Sequence, residues 1–184
     1  MPEVIIFAGA NGSGKTTLAQ RVVKPGLLFI NADQIQLEQQ LSDIPAGKKA
    51  LRLIDEITVR GIDFAFETTM AGVGLLKRME RLERKKYHIT IYYLFVYPVE
   101  LLVERIKERV KKGGHEVAEE DIRRRYGRSA YNFWNTYRLF ADSWVVFNNA
   151  LFQYKEIAVG SKGHYEVIGQ SEFEKIMEVI RYEK

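Results

Sequence analysis

The stretch Val4-Ile5-Ile6-Phe7-Ala8-Gly9-Ala10-Asn11-Gly12-Ser13-Gly14-Lys15-Thr16-Thr17-Leu18-Ala19-Gln20-Arg21-Val22 decides the fold. An apolar run that reads as a buried strand leads into the pattern G-x-x-x-x-G-K-[ST], and a helix-compatible segment follows. That strand–loop–helix context is what a P-loop requires. The glycines let successive backbone N–H groups turn inward around a phosphate, and the following helix presents its positive dipole end to the same anion. Lys15 is placed to reach the β- and γ-phosphates, and the Thr16 hydroxyl to ligate Mg²⁺. Gly9, Ala10, Asn11, Gly12, Ser13, Gly14, Lys15, Thr16 and Thr17 are therefore the expected ATP-binding residues.

Outward from this loop, strand-like and helix-like segments alternate, the signature of an α/β fold with a mostly parallel sheet. Strands are predicted at Val4–Ala8, Leu27–Ile30, Ile62–Phe66, Ile89–Val96 and Trp144–Phe147. Helices are predicted at Lys15–Val23, Asp33–Leu41, Ala46–Arg60, Leu75–Lys86, Val99–Lys112 and Glu119–Ala141. The expectation is a single P-loop domain over residues 1–184 with a five-stranded sheet flanked by helices. A small C-terminal unit follows, with Phe152–Val159 and Tyr165–Ile168 as an antiparallel hairpin and Phe173–Arg181 as a closing helix. Short connections put the P-loop at the carboxyl ends of the strands, where ligands bind in open sheets.

The chain has 184 residues, of which 46% are hydrophobic and 28% charged, enough for one domain with its own core. It has no cysteine, which excludes disulfides, zinc–thiolate sites and cysteine nucleophiles. Met1-Pro2-Glu3 leaves no room for a leader ahead of the first strand, and no apolar run is long enough to cross a membrane. A cytoplasmic location is the expectation. A net charge of +4 suits a small anionic substrate and does not by itself argue for nucleic acid.

Acidic residues at strand ends are the next candidates. Asp33 follows the second strand, where a carboxylate can accept the proton of an attacking hydroxyl; it is equally placed to cap the following helix. Glu67 ends the third strand in Phe66-Glu67-Thr68-Thr69 and is suited to a substrate hydroxyl or a Mg²⁺-bound water, or to a cap. In contrast, Asp55 and Glu56 resemble the acidic end of a metal-binding strand, but Ala50, Leu53, Ile54 and Ile57 recur at helical spacing. That pair is expected to lie off the apolar stripe, in solvent.

Arg105 through Lys112 end a helix in a basic stretch, Gly113-Gly114-His115 offers a hinge, and Asp121 through Arg128 open the next helix. Arg105 with Arg109, and Arg124 with Arg128, share helix faces. Arginines on such a mobile lid, spanning roughly 109–124, would stabilise charge on a transferred phosphoryl group. A solvated basic face is the alternative, although it accounts poorly for the unbroken Arg123-Arg124-Arg125.

These residues together resemble the zeta-toxin family of P-loop kinases, specifically its short stand-alone branch. The likeness runs through Gly9–Thr17, Asn31-Ala32-Asp33, Phe66-Glu67-Thr68-Thr69, Arg109 to Gly113-Gly114-His115-x-Val117, and Ile122-Arg123-Arg124-Arg125-Tyr126-x-Arg128-Ser129-x-x-Asn132. The resemblance implies an adenylate-kinase-like core that uses ATP and Mg²⁺ to phosphorylate a sugar hydroxyl of UDP-N-acetylglucosamine. It implies Lys15 on the phosphates, Asp33 as base, Glu67, Thr68 and Arg128 toward the substrate, and Arg109 and Arg124 as charge stabilisers. Toxins of the family have a longer C-terminal part that shapes the sugar-nucleotide site. The resemblance therefore carries phosphoryl transfer further than it carries the acceptor or an antitoxin partner. Two alternatives rank below it. One is a polynucleotide or nucleoside kinase that uses Tyr126, Tyr131, Phe133 and Trp134 to hold a strand; the other is a regulatory ATPase without a small-molecule acceptor.

Overall fold

Alternation along the first strand explains how the molecule is layered. In the computed structural model, which describes residues 1–114 and 116–183, β1 (Glu3–Gly9) is central and buried on both faces. Val4, Ile6 and Ala8 point to one side of the sheet and Ile5 and Phe7 to the other, because successive side chains of a strand alternate. The first side joins a large core with Phe64, Phe66, Ile89, Ile91 and Tyr93. The second joins a smaller core with Leu18, Ala19, Ala65 and Leu94.

The chain continues through α1 (Lys15–Val22), β2 (Leu28–Ile30), α2 (Ala32–Gln39), α3 (Asp43–Arg60), β3 (Phe64–Thr68), a 3-10 turn (Val73–Leu75), α4 (Leu76–Arg84), β4 (His88–Phe95), α5 (Glu100–Lys111) and α6 (Glu119–Asn135). A second 3-10 turn (Tyr137–Phe140), β5 (Ser143–Asn148), β6 (Lys155–Ser161), β7 (His164–Val167) and α7 (Gln170–Tyr182) complete it. Strand order is β2-β3-β1-β4-β5-β6-β7. The pairs from β2 to β5 are parallel, whereas β5·β6 and β6·β7 are antiparallel.

The α/β P-loop fold is as expected, with one difference in the sheet. The C-terminal hairpin is not a separate unit: β6 pairs with β5, so a single seven-stranded mixed sheet replaces the expected five strands and appended hairpin. The physical reason is the edge that β5 would otherwise expose, which the hairpin covers by hydrogen bonding. Trp134, Trp144, Tyr165 and Phe173 pack edge-on or tilted between α6, β5, β7 and α7 and hold this end to the main core.

Asp55 also departs from expectation. It is half-buried and bridges to Arg78 at 2.7 Å and Arg81 at 2.8 Å, tying α3 to α4 rather than facing solvent alone. Among the described residues, no helix is long and apolar enough to cross a membrane.

Candidate active site

The loop after β1 is shaped by contacts from remote parts of the chain. Gly14 precedes α1 with φ of 97°, and a Cβ built there would collide with Asn149 Nδ2. Gly9 has φ of 135°, and a Cβ there would run into the Leu94 carbonyl of β4. Both positions need glycine. Asn149 is fully buried and donates from Nδ2 to Ser13 O at 2.8 Å. The Arg105 guanidinium donates to Asn149 O at 2.7 Å, Ala150 O at 2.8 Å and Gly12 O at 3.4 Å, and lies 4.0 Å over the Phe152 ring. Arg105 is thus a clamp between the P-loop and the loop after β5, not one half of an anion-binding pair with Arg109.

Three neighbouring strand ends assemble the rest. Phe7 is in register with Glu67 and Ala8 with Thr68, while Ile30 pairs with Phe66, so Asn31, Glu67 and the start of the P-loop lie side by side. Asn31 caps α2, its Oδ1 accepting from Asp33 N at 2.8 Å and Gln34 N at 3.3 Å. The cap role considered for Asp33 therefore belongs to Asn31. Asp33 sits in the first turn of α2 and lines the cavity. Asn31 Nδ2 also donates to Glu67 Oε2 at 2.6 Å, and the Thr16 hydroxyl donates to the same oxygen at 3.1 Å.

Together these residues border a cavity of about 450 Å³. Asn11, Lys15, Asp33, Glu67, Thr68 and Arg125 form its polar end. Lys15 folds back to donate to Ala10 O at 3.0 Å. Burial pushes the Lys15 ammonium below its usual range, against the pull of Glu67 and Asp33, and Arg109 and Arg125 press it lower. Burial likewise raises the Glu67 carboxyl, opposed by Lys15 and by the Thr16 hydrogen bond. An anion between Lys15, Arg109 and Arg125 would relieve the crowding of these cations.

The lid residues sort differently from expectation. Arg125 reaches Asn11 Oδ1 at 3.4 Å, with Asp121 at 3.6 Å. Arg124 instead pairs with Asp121 on the exposed face of α6, and Arg128 lies 3.6 Å from Glu183 of the C-terminal turn. The structure therefore places Arg125 at the cavity and keeps Arg124 and Arg128 away from it. The reason is helical phase: Ile122, Tyr126, Ser129, Ala130 and Phe133 are the buried stripe, with Arg125 on its flank and Arg124 and Arg128 on the far side. Gly113, with φ of 82°, terminates α5, and Gly114 donates to Arg109 O at 2.9 Å, where a Cβ would collide with the Arg109 stem. His115 lies outside the described residues. Tyr126, Phe133 and Trp134 are core residues, and only Tyr131 of the aromatic set considered for a strand platform is exposed.

The donor set at Thr16 and Glu67 fits a magnesium ion. Thr16 Oγ1 and Glu67 Oε2 are adjacent, and the buried Glu67 Oε1 has no hydrogen-bond partner among the described residues. Mg²⁺ accepts few protein oxygens, directly or through its waters, and takes further oxygens from phosphate.

Residues 4–128 match the AAA domain family AAA_33. The chain belongs to that family. The matched span contains the P-loop, Asp33, Glu67, Arg109 and Arg125. A relative of this AAA domain, an uncharacterized protein of Haemophilus influenzae, is 33% identical over 129 residues, covering 67% of this chain and 92% of the relative. Among solved structures, a chain of the AvrRxo1-ORF1:-ORF2 complex with ATP superposes with a TM-score of 0.74 at 13% identity, over 96% of this chain and 63% of that one. A chain from the PezAT chromosomal toxin–antitoxin system of Streptococcus pneumoniae has a TM-score of 0.61 at 14% identity, over 99% and 87%. At these identities the likeness is one of fold.

Asn149 was passed over by the sequence reading, Arg105 was read as part of a basic lid rather than as a clamp, and Asn31 and Arg125 were named in motifs without a role of their own. Asn31 and Arg125 carried a signal, one directly after a strand and the other beside the apolar stripe of its helix. Asn149 and the clamp contacts of Arg105 span long sequence separations, which no local pattern signals.

Proposed function

We propose that the protein is an ATP-dependent kinase that transfers the γ-phosphate to a hydroxyl of a small molecule. The observation that carries this reading is the shared cavity: the P-loop lysine, the strand-end carboxylates Asp33 and Glu67, and Arg125 border one space. The P-loop holds the ATP phosphates, and Thr16 with Glu67 would hold Mg²⁺, which would supply neutralisation of the developing phosphate charge. Asp33 accepts the acceptor's hydroxyl proton as that oxygen bonds to the γ-phosphorus. The bond from phosphorus to the β–γ bridging oxygen breaks, and ADP leaves with that electron pair. Lys15, Arg109 and Arg125 stabilise the charge spread over the transferred oxygens. The fold likeness to a complex solved with ATP supports ATP as donor, and the zeta-toxin resemblance supports a hydroxyl acceptor.

That resemblance implies UDP-N-acetylglucosamine as acceptor and, through the PezAT likeness, raises an antitoxin as a partner to be sought by co-expression. The buried aromatics of α6 favour a small acceptor over a polynucleotide. The test is ADP formation with ATP·Mg²⁺ and a metabolite library. Lys15→Ala should abolish it with loss of ATP affinity. Asp33→Asn should retain ATP affinity and the fold while lowering the acceptor-dependent rate about two to four decades, the range of a general base. An unchanged Asp33→Asn rate would remove Asp33 from the chemistry.

A further inference from the structure

The far end of the cavity differs in chemistry from the end that meets the P-loop. Its walls are Ile44, Ala46, Ala50, Leu51 and Ile54 of α3 with Met70, Ala71 and Leu75 after β3. Gly47, Gly72 and Gly74 also line it, and a Cβ built at any of them would meet nothing within 4 Å. Gly47 is the unexpected one, since it occupies the interior of α3, where glycine weakens a helix relative to alanine. What it provides is open space beside the apolar wall. Ile44 is 71% exposed, and Val73, between two of the lining glycines, is 72% exposed.

The charges point the same way. The described lining residues carry two carboxylates, Asp33 and Glu67, and two cations, Lys15 and Arg125. Lys15 belongs to the ATP phosphates in the proposed reaction, and Arg125 already has Asp121 at 3.6 Å. Arg78, behind the wall, donates to Leu51 O, Gly74 O and Asp55 and is held by them. A phosphate or carboxylate carried into this end would lose its hydration against alkyl groups and would meet no cation among the described residues that form its walls. A hydroxyl group on an uncharged body incurs neither penalty.

We infer that the acceptor is a neutral hydroxylated molecule with an apolar ring or chain, its hydroxyl beside Asp33 and its body against Ala50, Leu51 and Ile54. This rests on the kinase reading and replaces the anionic metabolite and sugar nucleotide that net charge and resemblance suggest.

The experiment measures ADP formation with ATP·Mg²⁺ over a library of matched neutral and anionic hydroxylated compounds. Its members include uridine with UMP, phenyl β-D-glucoside with phenyl β-D-glucuronide, and UDP-N-acetylglucosamine. Neutral members should be preferred by at least about ten-fold in kcat/KM, the charged ones being disfavoured by desolvation. Gly47→Leu, which fills the open space, should abolish neutral-acceptor turnover while ATP affinity and melting temperature are maintained. Gly47→Lys should shift preference toward anionic members. Preference of the wild type for anionic members overturns the inference and leaves the kinase reading standing. So does full neutral-acceptor activity in Gly47→Leu. ATP binding without acceptor-dependent ADP formation from any member overturns the kinase reading itself.

Discussion

Replacing Arg105 with alanine tests whether the P-loop depends on a remote clamp. The guanidinium makes short hydrogen bonds to Asn149 O at 2.7 Å and Ala150 O at 2.8 Å, a long one to Gly12 O, and stacks 4.0 Å from Phe152. Hydrogen bonds from charged donors contribute about 1.5 kcal/mol each at the low end. The ring contact adds about 0.5–1 kcal/mol. The site is half-buried, and water can reach part of the freed carbonyl surface, so the expected loss is about 2–3 kcal/mol. For a domain of this size that lowers the melting temperature by about 5–10 °C. ATP affinity should fall too, because Asn149 and Gly12 lose the group that holds one against the other. Arg105→Lys should recover less than half of the stability, since an ammonium cannot span separate carbonyls as a planar fork does. Urea titration followed by circular dichroism gives the stability, and calorimetry with ATP·Mg²⁺ gives the affinity. A loss below about 0.5 kcal/mol, as for an ordinary surface residue, with unchanged ATP binding would refute the clamp.

Two further outcomes follow from the site. Burial raises the Glu67 carboxyl, so folding favours its protonated form; this favourable contribution is complete below the ordinary glutamate range and is lost as pH rises through the raised folded value. Glu67→Gln should accordingly increase the melting temperature of the nucleotide-free protein at neutral pH, with the gain vanishing below about pH 4; a gain that does not vary with pH would rule out this cause. Arg125→Ala should lower turnover about two to three decades with a smaller effect on ATP affinity, as expected of a donor acting on transition-state charge. Arg124→Ala should leave turnover within roughly two-fold, because an exposed ion pair contributes little; steady-state kinetics showing the reverse order would contradict the placement of these two side chains.

The sequence by itself determined the P-loop, the parallel α/β architecture around it and the strand-end positions of Asp33 and Glu67. All of these rest on short-range information: glycine spacing, apolar period, and the rule that open parallel sheets bind ligands at their carboxyl edge. The expectation that Arg124 stabilises the transferred charge did not weigh helical phase, which sets Arg124 opposite the apolar stripe and Arg123 and Arg125 on its flanks. Which flank meets the P-loop was decided by tertiary packing: Arg123 turns to Glu100 and Glu119, and Arg125 to Asn11. The same holds for the hairpin, whose alternation marks two strands but not the β5 edge to which they add. Asn31 took the cap from Asp33 because its amide can accept from the helix and donate to Glu67 at once, a choice set by the β2–β3 register. Asn149 supports Ser13 across a separation of 136 residues. No local periodicity encodes such a contact, because it exists only once the whole sheet has brought the two loops together.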